Sequence, residues 1–295
     1  MSEPIIDAHH HIWQLDRVPW LKGPQVPRIF GDYGALRRDY PVSEFREALR
    51  PHGVVASVYV QINVAPGDEV EEVRWVQSAA DAEGFPHGIV GYADLSRPDV
   101  AGTLDRQLAF ANLRGIRQQL HWHERSLYRF AVRPDLMNDP AWRRGLAELE
   151  QRSLLFELQV FAAQMPDAAR LASDFPGITF VLLHAGMLED RTMDGWAHWR
   201  EGMRLLATCP NVQVKLSGLG TFEHECSVEL WKPVTVDTIG MFGPERCIFG
   251  SNFPIESLWT SYDRIVEVMQ GCVAQCTPAE RRAIFHDNAK RVYRL

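Results

Sequence analysis

The chain is poor in cysteine, in net basic charge and in long apolar runs, and each shortage removes a class of protein. Its five cysteines (Cys209, Cys226, Cys247, Cys272 and Cys276) are odd in number, scattered, and without a C-x-x-C pair. Neither a disulfide framework nor a cysteine-based zinc module is expected, and the thiols read as reduced packing residues. Lys and Arg number 31 against 38 Asp and Glu, a formal charge of -7. Neutralising a phosphate backbone takes clustered cations, so no nucleic-acid partner is expected. No apolar run approaches the roughly 20 residues that span a bilayer, which argues against a membrane partner. The opening Met1-Ser2-Glu3-Pro4 lacks the basic start and apolar core of a signal peptide, and a cytoplasmic location is the default expectation. There is no linker, internal repeat or low-complexity tract to divide the chain.

What is present suits one large core. A hydrophobic share of 46% and a charged share of 23% over 295 residues are those of an ordinary globular protein. Near-continuous apolar runs such as Val54 to Ile62 fit strands buried on both faces, as in parallel sheets. Eight such runs are expected as strands: 5–13, 54–62, 88–93, 115–120, 154–160, 178–184, 212–217 and 246–250. Between them lie helical stretches at 67–83, 99–112, 141–152, 166–174, 196–208 and 228–241, with two more helices closing the chain. Asp139-Pro140 and Thr277-Pro278-Ala279-Glu280 carry helix-start signals. The alternation predicts an α/β fold with residues 1–295 as a single (β/α)8 TIM barrel. A doubly wound sheet is the alternative, but polar residues cluster just after the C-terminal ends of most strands, and a barrel brings all those ends to one mouth. The stretch from Gln14 to Pro41, broken by Pro19, Gly23, Pro24, Pro27, Gly31 and Gly34, reads as a loop near that mouth.

The first strand runs straight into His9-His10-His11. Side chains two apart on a strand share a face, so Asp7, His9 and His11 are expected on one side, with His10 turned to the outer layer. His9 and His11 then supply two nitrogen ligands toward one divalent cation. The other strand ends add Gln61 and Asn63, Arg117 with His121 and His123, Glu157 and Gln159, His184, Lys215 with Ser217, and Asn252. Arg117 or Lys215 suits an anionic group on a small-molecule substrate. Trp13, Trp20, Trp122 and Trp259 are candidates for an aromatic wall.

These motifs resemble the amidohydrolase superfamily, and within it the lactonase-type amidohydrolase 2 branch. The resemblance rests on Asp7-x-His9-x-His11-x-Trp13, Gly115-Ile116-Arg117, His184-Ala185-Gly186, Lys215-Leu216-Ser217-Gly218 and Gly250-Ser251-x-Phe253-Pro254, spread over nearly the whole chain. It implies a (β/α)8 barrel that hydrolyses a sugar-acid or aromatic-catabolic lactone. The superfamily places an aspartate where this chain has Asn252, and a fifth-strand metal residue where it offers Glu157 and Gln159. One divalent metal, Zn2+ by ligand type, is therefore expected on His9, His11 and His184, rather than two.

Two mechanisms are compatible with this set. In one the ion lowers the pKa of a water to roughly 7, Arg117 or Lys215 holds a carboxylate or oxyanion, and Asn252 donates a hydrogen bond. In the other no metal is bound and a histidine, His184 or His123, activates the water. Trp13, Gln61, Arg117, His123 and Lys215 are the expected substrate contacts. Decarboxylation, or a binding protein without the acid at position 252, are the competing functions. Self-association cannot be read from the sequence.

Overall fold

A computed structural model describes residues 4–295; Met1 to Glu3, on which the leader-peptide expectation largely rests, lie outside the described residues. Strands β1 (Ile5–His10), β2 (Val54–Val60), β3 (Gly88–Gly91), β4 (Leu113–Arg117), β5 (Leu155–Leu158), β6 (Phe180–Leu182), β7 (Val212–Leu216) and β8 (Cys247–Phe249) pair in parallel and in chain order. This is the expected (β/α)8 barrel. Beyond β8 the chain stitches the seam at the mouth: Asn252 N donates to His9 O (2.7 Å) and His11 N to Phe253 O (2.8 Å).

Strands buried on both faces explain why the sequence runs are apolar rather than alternating. Ile6, Ala8, Val58, Val60, Val90, Leu155, Val181 and Ile248 form the inner core. Their neighbours along each strand, Ile5, Tyr59, Ile89, Ile116 and Phe156 among them, pack outward on the helices. The last helix, Asn288–Tyr293, contributes Ala289 and Tyr293 to the inner cluster. Helix starts follow local chemistry: the Asp139 carboxylate accepts from Ala141 N and Trp142 N ahead of Pro140, and Thr277 with Glu280 forms a reciprocal capping box.

Most strands are shorter than their apolar runs. The sixth run differs most, because β6 stops at Leu182 and His184 lies in a tight turn with left-handed φ of +54°. The stretch 14–41 is largely irregular but holds short helical turns at Leu15–Arg17, Pro19–Lys22 and Gly34–Leu36. It is anchored by buried Trp13, Val18, Leu21, Tyr33 and Tyr40, with Trp13 N and Tyr40 O bonded at 2.9 Å. Among the described residues no helix is long and apolar enough to cross a membrane.

Candidate active site

A β-bulge sets the geometry of the histidine stretch. The pairing of β1 with β2 slips between Asp7 and His10, and the slip adds a residue that changes which face the chain presents. Ile6 and Ala8 point into the barrel. Asp7 does not share the face of His9 and His11. It points outward, its Oδ1 accepting from Ser251 N (2.9 Å) and His9 N (3.1 Å) and its Oδ2 from Tyr262 Oη (3.1 Å). Past the bulge His9 and His11 face inward with ring centroids 5.1 Å apart, while His10 stacks on Phe45 at 3.9 Å in the outer layer. Asp7 therefore ties β1 to β8 and to the helix Tyr262–Cys272, holding the strand from which both rings project.

His184 arrives from the other side of the mouth, its ring 4.8 Å from that of His9 and its Nδ1 3.0 Å from Ser217 Oγ. Residues 184 to 187 all have positive φ, a run that non-glycine residues adopt only when their surroundings impose it. Two glycines make room for the rings. A Cβ on Gly250 would lie 2.7 Å from His9 Cβ, and one on Gly218 would lie 2.6 Å from His184 Nδ1. The motif glycines 218 and 250 are thus the seats of the histidines.

Below the rings a column of buried polar groups runs down the barrel. Lys215 Nζ forms an ion pair with Glu157 Oε1, which also accepts from Tyr293 Oη at 2.8 Å, and Nζ lies 3.4 Å from His9 Nδ1. Lys215 and Glu157 are fully buried. The ammonium is thus neither a solvated strand end nor a wall of the cavity; it supports His9 from beneath. Burial pulls the Lys215 pKa down to about 8, Glu157 opposing the shift. Burial likewise holds His9 and His184 well below the usual imidazole range and pushes His11 to about 3, with nearby Lys215 and Arg117 adding to the effect. At neutral pH the three rings are uncharged.

Above them opens a cavity of about 310 Å³, the size of a small-molecule site. His11, His184, Arg117, Asn252 and Trp13 line it, together with His121, Gln119, Gln159 and Asn63. The 14–41 segment contributes Trp20, Arg28, Ile29 and Phe30, and the loop after β4 adds Tyr128, Arg129 and Phe130. Three arginines and, among the described residues, no aspartate or glutamate line this space, but the Arg129 guanidinium is spent on His123 O and Glu124 O and lies over Trp122. Arg117 is 4% exposed and its Nη2 donates to Gln61 O, leaving Nε without a partner. Burial lowers its pKa to about 10, so it stays a cation. Arg28 stacks over Trp20 at 5.5 Å and its Nε is also buried and unpaired.

The other expected residues take different places. Gln61 lies behind the wall, its Nε2 donating to Arg117 O (3.4 Å), so it braces Arg117. His123 does not line the cavity; its Nδ1 accepts from Arg125 N (3.0 Å) and its Nε2 lies 4.0 Å from Glu189. His121, two residues earlier, occupies the wall instead. Trp122 and Trp259 stay outside it too. Sequence reasoning passed over Arg28, Tyr128, Tyr293 and Glu256. The punctuated 14–41 stretch signalled a functional loop but not which residue mattered, and nothing local marks the other three.

The imidazoles fit a single ion in donor chemistry. They are neutral, and His9 Nε2 is buried without a hydrogen-bond partner. Imidazoles that share one zinc at 2.0–2.1 Å have ring centroids roughly 5 Å apart, the spacing seen for the two pairs around His9. Among the described residues no three His, Cys, Asp or Glu side chains stand as a ready-made ligand cluster. Glu157 on the fifth strand is taken up by Lys215, and Asn252 stands at the eighth-strand position.

The barrel thus carries a histidine-lined mouth at the C-terminal ends of its strands, the face on which such barrels build their active sites. The family model for amidohydrolases, Amidohydro_2, matches residues 6–295, and the chain belongs to that family. It is 38% identical over 296 residues to the uncharacterized protein y4mH of Sinorhizobium fredii, covering 99% of this chain and 98% of that one. It is 29% identical over 307 residues to an L-fucono-1,5-lactonase of Burkholderia multivorans, covering 98% and 96%. An amidohydrolase from Burkholderia multivorans solved with bound zinc superposes with a TM-score of 0.82 at 27% identity, covering 99% of both chains. The chain is thus an enzyme, a hydrolase with lactonase relatives.

Proposed function

We propose that the chain opens a small lactone that carries a carboxylate, by attack of water on the ring carbonyl. The observation that carries this reading is the cavity wall: Arg28 and Arg117 face it, each with a buried and unpaired Nε, and no acid among the described residues lines it. A polyhydroxylated neutral ring gains little from such a wall, whereas a carboxylate pairs bidentately with a guanidinium. The apolar remainder, Trp13, Trp20, Phe30 and Phe130, covers the rest of a compact ring.

His9, His11 and His184 would hold one divalent ion, Zn2+ by ligand type, a reading supported by the zinc-bound relative. When bound, such an ion supplies Lewis-acid chemistry, polarising the carbonyl and lowering the pKa of water. Arg117, dehydrated beside the rings, holds the substrate carboxylate or the oxygen on which negative charge develops, where a preorganised donor stabilises most. Asn252 orients the attacking water. The polar column under His9 keeps the ring in place through Lys215.

A second reading is favoured by Lys215 Nζ 3.4 Å from His9 Nδ1: an ammonium that donates there leaves the proton of the neutral ring on Nε2, which in that tautomer is not a ligand. Here His184 is the base. Its Nδ1 is engaged by Ser217, leaving Nε2 to take a proton as water adds to the carbonyl carbon. Collapse breaks the ring C–O bond, and the imidazolium returns the proton to the leaving oxygen. Proton release from a panel of carboxylated and neutral lactones tests the function, and a chelator-treated sample separates the readings. Loss of turnover on chelation and recovery with Zn2+ supports the first, and unchanged turnover the second. Silence toward every lactone contradicts both.

A further inference from the structure

Asn252 lines the cavity and touches the His11 ring, and its amide has a partner of its own on the other side. Asn252 Nδ2 donates to Glu256 Oε1 at 3.3 Å. Glu256 is fully buried in the turn Ile255–Leu258, and its backbone N closes that turn onto Asn252 O (3.3 Å). Thr221 and Trp259 are its remaining polar neighbours. No lysine or arginine pairs with it among the described residues, so this carboxyl group serves no ion pair in the fold. Burying such a group is costly, and its placement against one amide of the site calls for a reason.

The direction of the amide supplies one. His11 Nδ1 donates to Val60 O at 2.6 Å, which makes Nε2 of the neutral ring an acceptor. An unrestrained Asn252 would turn its NH2 group to that nitrogen and close the gap. With Nδ2 held by Glu256, the carbonyl Oδ1 faces the cavity side, and two acceptors converge on a spot that requires a donor. A water or a substrate hydroxyl meets that need. We infer that Glu256 is a positioning residue that holds the Asn252 amide with its oxygen toward the site, so that Asn252 receives a hydrogen bond from the nucleophilic water. The inference rests on the hydrolytic reading above for its kinetic consequence, but not for its geometry.

The test is a double-mutant cycle with a structural arm. Glu256→Met keeps the side chain's length and removes the acceptor; kcat on a hydrolysed lactone is expected to fall about 10- to 30-fold with KM within about twofold, the loss of one oriented hydrogen bond. Asn252→Ala is expected to fall as far, and the double variant no further, because both remove the same contact. Glu256→Gln, whose side-chain oxygen still accepts from Nδ2, is expected to recover kcat to within about threefold of wild type. Should Glu256→Met fail to fold, Glu256→Asp, which withdraws the carboxylate by one methylene, reads the same loss. A crystal structure of the Met or Asp variant is expected to show the amide rotated, with Nδ2 on the cavity side in place of Oδ1. Losses that multiply in the double variant, an unchanged kcat, or an amide that stays in place overturn the proposal. A wild-type protein inert toward lactones overturns the functional reading instead, and the amide's position still decides the geometric claim.

Discussion

Gly218→Ala is the sharpest probe of how the barrel seats its histidines, because the added methyl group meets the His184 ring directly. Gly218 has φ of +58°, and an added Cβ would fall 2.6 Å from His184 Nδ1, 3.0 Å from Cγ and 3.1 Å from Cε1. The left-handed backbone costs an L-residue about 1 to 2 kcal/mol. Relief of the contact requires the ring to retreat by roughly 1 Å, which breaks its bond to Ser217 Oγ for about another 1 kcal/mol. A total of about 2 to 3 kcal/mol over a chain of this length lowers Tm by about 3 to 5 °C. Displacing a reacting group by that distance lowers kcat/KM about 100-fold. The control is Gly84→Ala at the end of the helix Glu69–Glu83, where φ is +75° and nothing lies within 4 Å. It carries the backbone cost without the ring contact, so Tm is expected to fall by about 2 °C with activity intact. Thermal melts and lactone hydrolysis read both variants. A Gly218→Ala protein with wild-type kcat/KM would refute the reasoning.

Tyr293→Phe removes the hydroxyl that Glu157 accepts from inside the barrel, and urea unfolding is expected to show a loss of about 1.5 to 3 kcal/mol, as for a hydrogen bond to a charged group; a loss below about 0.5 kcal/mol would show the column to be slack. Burial raises the Glu256 pKa from 4.5 to about 8, so the folded state holds the proton that the unfolded state releases. Stability contributed by this group is complete below the unfolded value and is lost as pH rises through the folded one. Glu256→Gln is therefore expected to match wild type near pH 4 and to exceed it by pH 9, by an amount on the order of 4 kcal/mol, read by melts across that range; parallel curves would contradict the shift. Arg117→Lys keeps the charge but loses the planar fork, and KM for a carboxylated lactone is expected to rise about 10- to 100-fold while a neutral lactone is unaffected.

Much of this site could be read from the chain because its residues sit at strand ends, where a period of two and a barrel's mouth dictate direction. His9, His11, His184, Arg117 and Asn252 were expected there, and the structure brings them to one mouth, His184 from a turn beyond its strand. Asp7 was misplaced because a bulge carries no signature in a string of residues; it appears only as a register slip between β1 and β2. Lys215 was expected to meet the substrate, because its partner Glu157 lies 58 positions away and Tyr293 in the last helix, and only barrel closure brings them together. The sequence reading chose His123 for the site, whereas the cavity wall holds His121. Which one reaches the cavity depends on how the loop after β4 leaves the strand, with Phe130 and Phe161 flanking the His121 ring. The 14–41 segment was recognisable by its prolines and glycines, yet its contribution of Arg28 depends on packing around Tyr33 and Trp20.

The most direct test of the central claim compares a carboxylated lactone with a neutral one of the same ring size, following proton release by wild-type and His9→Ala protein. The account predicts turnover of the carboxylated ring, a kcat/KM at least tenfold lower for its neutral counterpart, and loss of both in the variant. Equal turnover of the two rings would remove the arginine-lined cavity from the argument, and full activity in His9→Ala would remove the histidines.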